Sequence, residues 1–106
     1  MRNSVIVEKL IAYTDKILSY CEGVEYDAFA ADSKLVEACV FNLSQMGELA
    51  NRVDDEFARS HTEVPWRLLY GLRNRIVHDY EGVNLQLIWE IIRDDLIPLR
   101  DALTRI

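Results

Sequence analysis

The amino-acid sequence predicts an all-α fold, an up-down bundle of helices in a single domain, and three observations carry that reading. Apolar residues recur three and four positions apart over several long stretches, the period of a helix with one buried stripe. No window alternates apolar and polar residues with period two, and no internal repeat or low-complexity tract appears, so sheet is not expected. Glycine, proline, aspartate and asparagine fall between the periodic stretches, where helices begin and end.

In the first stretch, Ile6, Leu10, Tyr13, Ile17 and Cys21 form the stripe, which predicts a helix over 3–22 with Gly23 placed to end it. The segment VEYDAFAAD that follows reads as an ordered connection pinned by Tyr26 and Phe29. Asp32 or Ser33 then caps a second helix. Its stripe of Leu35, Cys39, Leu43, Met46, Ala50, Val53 and Phe57 predicts one long helix over 33–59. Gly47 lies inside it, at a cost of about 0.5–1 kcal/mol relative to alanine, so close approach of another helix is expected there. Residues 60–64 break the pattern, and Pro65 suits the first turn of a third helix over 65–79. Gly82 ends the next turn and Asn84 offers a cap. The fourth helix carries Leu85, Ile88, Ile92, Leu96, Leu99 and Leu103, with a kink expected at Pro98.

Length and composition bound the function. At 106 residues, 50% hydrophobic and 28% charged, the chain suits one domain, residues 1–106. The apolar run near the N-terminus is broken too soon by Glu8 and Lys9 to be a signal peptide or membrane span, which predicts a cytoplasmic protein without a membrane partner. Cys21 and Cys39 lie in apolar helical contexts without C-x-x-C spacing and read as buried thiols. A zinc site from His61, His78 and the cysteines fails on spacing, so no metal and no cofactor are expected. Trp66, Tyr70, Trp89 and the Ile91/Ile92 pair add apolar bulk beyond a single stripe, which a second copy of the chain would cover most simply.

The net charge of −6 argues against a general nucleic-acid binder. The segment Val64 to His78 nevertheless holds Arg67, Arg73 and Arg75 and no acid, leaving −9 on the rest of the chain. One local phosphate site fits that pattern, and a broad basic groove does not.

The segment RNRIVHDY, residues 73–80, gathers the polar chemistry of the third helix. Residues advance about 100° each on a helix, so Arg73 and Tyr80 nearly eclipse while His78 lies about 140° from Arg73. Either the helix ends near His78 and the chain turns the ring back, or the arginine of one subunit meets the histidine of another. An arginine and a histidine without clustered carboxylates suit metal-free cleavage of RNA, rather than DNA, because RNA brings its own 2′-hydroxyl nucleophile. His78 would exchange the protons, Arg73 would hold the phosphate, Asn74 would orient the imidazole from one turn away, and Arg75 would add charge. Taken singly, each has a structural reading: a hydrogen-bonded histidine, a packed Tyr80, an Arg75–Asp79 surface pair, and Glu48 as an ordinary exposed helix residue.

RNRIVHDY resembles the R-x-x-x-x-H-x-Y motif of the HepT-like ribonuclease toxins, a branch of the HEPN superfamily, at every fixed position. Met46-Gly47-Glu48 is similar to the family's I-G-E segment, Pro65-Trp66 to its P-W, and Leu85 to Leu99 to its closing helix, with methionine for isoleucine before Gly47, Leu72 for a common methionine, and Ile97 between Leu96 and Pro98 as departures. The resemblance implies a homodimeric HEPN-like bundle of four or five helices whose motifs face one another. It implies catalysis by Arg73 and His78, and a minimal nucleotidyltransferase antitoxin of the MntA type that transfers AMP from ATP to Tyr80. An adenylyl group there would place bulk and negative charge beside the arginine that must bind RNA. The same residues also fit a non-catalytic module that holds a nucleotide or restrains a toxic nucleotidyltransferase.

Overall fold

The computed structural model describes the backbone of residues 2–81 and 84–106 and the side chains of residues 2–76 and 84–106. Helix α1, Asn3–Tyr20, buries Ile6, Leu10 and Ile17 completely. Gly23, at φ 72°, takes the left-handed conformation that glycine adopts without a Cβ penalty, and the chain turns there. The connection expected after it contains a short helix, α2, Tyr26–Ala31, whose Phe29 is fully buried.

Helix α3, Ser33–Ala50, is capped as the sequence predicts: the Asp32 carboxylate accepts the Leu35 N–H at 3.1 Å. The long helix expected over 33–59 is in fact two. Asn51 donates its side-chain amide to the Gly47 carbonyl at 2.9 Å, the chain becomes extended at Asp54, and α4 runs separately over Asp55–Ser60. The break is tied to the start of α1, because the Asp54 N–H donates to Asn3 Oδ1 at 3.3 Å and Asn3 Nδ2 donates to the Asp54 carboxylate at 3.2 Å. The periodicity carried through the break because Val53 remains buried and Phe57 half-buried.

Helix α5, Trp66–Glu81, turns Leu69, Leu72 and Ile76 into the core. Asn84 caps α6, Leu85–Glu90, by accepting the Leu87 N–H at 3.0 Å. Just before Pro98, where a kink is expected, the helix widens: residues Ile91–Asp95 form a π-helix, after which α7 runs over Leu96–Thr104. Proline lacks the N–H that would bond the carbonyl four residues back and its ring crowds that carbonyl, so a widened turn relieves both problems.

Helix α3 lies at the centre, packed between α1 and α5, with α7 returning along α1. Three contacts fix α1 and α3 as antiparallel: Asn3 to Asp54, Thr14 to Met46 and Cys21 to Cys39 pair rising numbers with falling ones. The Arg100 guanidinium clamps α7 to Asp15 of α1 through two hydrogen bonds, one of them at 3.3 Å, and this holds its proton more tightly than an ordinary arginine. The result is an all-α bundle, with no strand among the described residues. No helix of the described residues is long and apolar enough to cross a membrane.

Two expectations about side chains resolve differently. Cys21 and Cys39 are buried free thiols with sulfurs 3.7 Å apart, as read, and burial pushes both above the ordinary thiol range. The apolar surplus assigned to a second copy is instead covered within one chain. Trp66, Ile91 and Ile92 are buried, and Trp89 is half-buried against Phe29 with ring centroids 4.8 Å apart.

Candidate active site on helix α5

The close approach expected at Gly47 occurs, and it occurs beneath Arg73. A Cβ built on Gly47 would lie 3.2 Å from the Arg73 backbone nitrogen and 3.3 Å from the Leu69 carbonyl oxygen. Only a glycine lets the two helices run this close. The backbone of Arg73 is therefore set against α3, while Leu72 and Ile76 on either side anchor α5 in the core.

With its backbone fixed, the Arg73 side chain projects outward at 63% exposure and meets Glu48 at 2.8 Å, itself 42% exposed. The sequence reading missed that Glu48 is this partner. The signal was its place directly after the close-packing glycine, which aims the residue along the seam that the glycine opens. An exposed ion pair contributes little to stability, on the order of 0–1 kcal/mol. Its consequence is orientation: one guanidinium edge is occupied, and the rest of a five-donor fork stays open to solvent for an anion.

Asn74 and Arg75 are exposed on the same helix. Successive side chains diverge by about 100°, so Arg75 leaves the helix about 160° away from Arg73 and is not brought to it. The side chains of His78 and Tyr80, and of Asp79, lie outside the described residues. The backbone through them is helical as far as Glu81, two residues beyond the predicted end. That sets aside the first of the two arrangements the sequence leaves open, a helix that ends near His78 and turns the ring back within one chain.

Phe41, at 58% exposure, is the most open of the large apolar side chains among the described residues. It precedes Glu48 by seven positions on α3, which places the two about 20° apart on the same helix face. An uncovered aromatic therefore sits on the side of the bundle that carries the Arg73–Glu48 pair.

A family model described as ribonuclease HepT-like matches residues 10–106. A protein of Caldanaerobacter subterraneus subsp. tengcongensis that is named for an RNase activity is 33% identical, over 89% of this chain and 90% of its own length. One of Thermococcus cleftensis, which carries the name "Probable ribonuclease HepT", is 26% identical over 89% of this chain and 86% of its own. No solved structure matches.

Proposed function

The chain belongs to the HepT-like ribonuclease family, and from that premise we propose that it is the ribonuclease toxin of a toxin–antitoxin pair, a metal-independent endoribonuclease working as a homodimer. Arg73 carries the reading: an exposed guanidinium, oriented by Glu48 at 2.8 Å and fixed at its backbone by Gly47, on the helix that bears the motif.

In the proposed reaction the guanidinium holds the scissile phosphate and stabilises the charge that builds on its oxygens. His78 takes the proton from the 2′-hydroxyl, or gives one to the departing 5′-oxygen. The 2′-oxygen bonds to phosphorus as the 5′-oxygen leaves, which yields a cyclic phosphate and a 5′-hydroxyl. Proton transfer of this kind is worth about 10² to 10⁴ in rate.

A helix continuous through Glu81 supports a site shared between protomers, because positions 73 and 78 of one such helix lie about 140° apart in phase. Phe41 supports the same arrangement by offering an open apolar contact on the face of α3 that carries Glu48, the partner of the arginine. Transfer of AMP from ATP to Tyr80 by a partner nucleotidyltransferase would switch the toxin off. Tyr80 stands seven residues from Arg73, about 20° away in helical phase, so an adenylyl phosphate there competes with RNA for the guanidinium.

The test is cleavage of total RNA by purified protein in EDTA. Cleavage lost in both Arg73→Ala and His78→Ala supports the proposal, and cleavage unchanged in both defeats it. Co-expression with the nucleotidyltransferase should add AMP to Tyr80, read by mass spectrometry, and Tyr80→Phe should escape inhibition. Growth arrest by the nucleotidyltransferase alone, relieved by this chain, would instead identify a restraining module.

A further inference from the structure

Beside the start of α5 lies an open cleft of about 700 Å³ that the proposed chemistry does not use. One wall is α4, with Asp55 and Arg59, and the other is the first turns of α5, with Trp66, Arg67 and Tyr70. Both arginines are exposed, and among the described residues neither has a carboxylate within ion-pair distance. The lining thus carries two cations against one acid, in a chain whose net charge is −6.

The floor is aromatic and held still. Trp66 donates its indole N–H to the His61 carbonyl at 2.9 Å and packs edge-on against Phe57. Tyr70 lies near-parallel to the indole, with centroids 6.4 Å apart, and is half-buried. A ring backed this way presents a face without losing much freedom when something stacks on it, and every nucleobase has a π-face to offer.

The cleft also leads to the candidate active site. Trp66 and Tyr70 lie about 40° apart in helical phase, and Arg73 and Asn74 flank that line one turn further along. From Arg67 to Arg73 the helix rises only about 9 Å. In phase Tyr70 therefore lies between the two arginines, about 60° from Arg67 on one side and about 60° from Arg73 on the other.

We infer that the α4–α5 cleft is a subsite for the RNA nucleotide flanking the scissile phosphate, its base stacked on Tyr70 and its phosphate held between Arg59 and Arg67. This rests on the ribonuclease reading and adds to it a place where single-stranded RNA is bound, away from the reacting atoms. The contacts named reach a phosphate and a base face and no base edge, so binding tolerates different bases and weakens with salt.

The experiment measures binding, by fluorescence anisotropy, of a labelled oligoribonucleotide made uncleavable by 2′-O-methylation. Against wild type, Arg59→Ala and Arg67→Ala should each weaken binding several-fold and flatten its salt dependence, whereas Lys9→Ala, an exposed cation elsewhere, should change it less than about twofold. Tyr70→Ala should weaken binding about tenfold and Tyr70→Phe should restore it, because the ring and not the hydroxyl is used. Wild-type affinity and salt slope in both arginine variants overturns the subsite, as does no binding by wild type. If those variants bind normally while Arg73→Ala abolishes cleavage, the subsite falls and the ribonuclease stands. If they bind poorly while Arg73→Ala still cleaves, the catalytic reading falls and the binding site stands.

Discussion

Replacing Gly47 by alanine sets two effects of known size against each other. Alanine in a helix interior is favoured over glycine by about 1 kcal/mol, so on propensity alone the variant would be more stable. The added methyl, however, meets main-chain atoms of α5 at 3.2 and 3.3 Å and the Leu72 Cβ at 3.5 Å. Main-chain atoms cannot rotate aside as a side-chain tip would, so α5 itself must shift by a few tenths of an ångström. Leu69, Leu72 and Ile76, exposed by no more than 2%, hold it in place. Overpacking of this sort costs about 1–3 kcal/mol, which outweighs the propensity gain and leaves a net loss of about 1 kcal/mol. Gly71 supplies the control on the neighbouring helix. A Cβ there meets only the Arg75 Cδ at 3.9 Å, so Gly71→Ala should keep most of the propensity gain. Urea denaturation of both variants, at dilutions where the midpoint no longer depends on protein concentration, should place them on opposite sides of wild type. Equal stabilisation by the two alanines would refute the reasoning. The shift in α5 also displaces Arg73, so Gly47→Ala should lose more cleavage than its small unfolded fraction explains.

Three further outcomes follow from named contacts. Glu48→Ala should lower cleavage about tenfold by releasing the Arg73 fork, while Glu48→Gln, whose amide oxygen still accepts, should retain most of it; kcat and KM of both variants decide the matter. Phe41→Glu should shift a dimer to monomer in sedimentation while changing the stability of the isolated chain by less than about 0.5 kcal/mol, and a persistent dimer would remove Phe41 from the seam. Burial raises both thiols above 9.0, so above that pH the unfolded chain holds fewer protons than the folded one and stability falls as pH rises. Urea midpoints followed from neutral pH to above pH 9.0 should show that decline, and Cys39→Ala should flatten it.

How much of this was legible in the sequence depends on what each residue answers to. The stripe of Ile6, Leu10 and Ile17 in α1, and that of Ile88, Ile92, Leu96 and Leu99 from α6 into α7, were readable because burial obeys a local period. Asp32 and Asn84 were readable as caps because a cap acts three residues away. The break at 51–54 was not, because it is held by Asn3, fifty-one residues distant, and because Val53 keeps the phase across it. The π-turn before Pro98 was readable as a disturbance but not as a shape, since a kink and a widened turn both answer the same missing N–H. At the site, Gly47 announced a close approach without naming what approached, and the pairing of Glu48 with Arg73 became visible only once α3 and α5 lay side by side. The α4–α5 cleft was hidden because sequence periodicity had merged α4, one of its walls, into the helix before it, while the other wall is the start of the predicted third helix.

The phase of α5 sets one further consequence that can be tested without a structure of the assembly. Burial of Leu69, Leu72 and Ile76 fixes which way the helix faces, and the helix runs unbroken to Glu81. Positions 73 and 78 of one chain therefore lie on different faces of the helix, and the proposed reaction, which needs both residues at one phosphodiester, calls for two copies of the helix. In a two-fold dimer each arginine then works with the partner's histidine, and the arrangement occurs twice. Mixing Arg73→Ala with His78→Ala, each inactive alone, produces heterodimers in which one seam has lost both groups and the other has kept both. Random exchange gives half heterodimers with one intact seam of two, so about a quarter of wild-type activity should return. A site assembled within a single chain gives none, because no chain in the mixture carries both residues. An inactive mixture, with exchange verified by mass, would therefore place the arginine and histidine in the same protomer and contradict the helical phase.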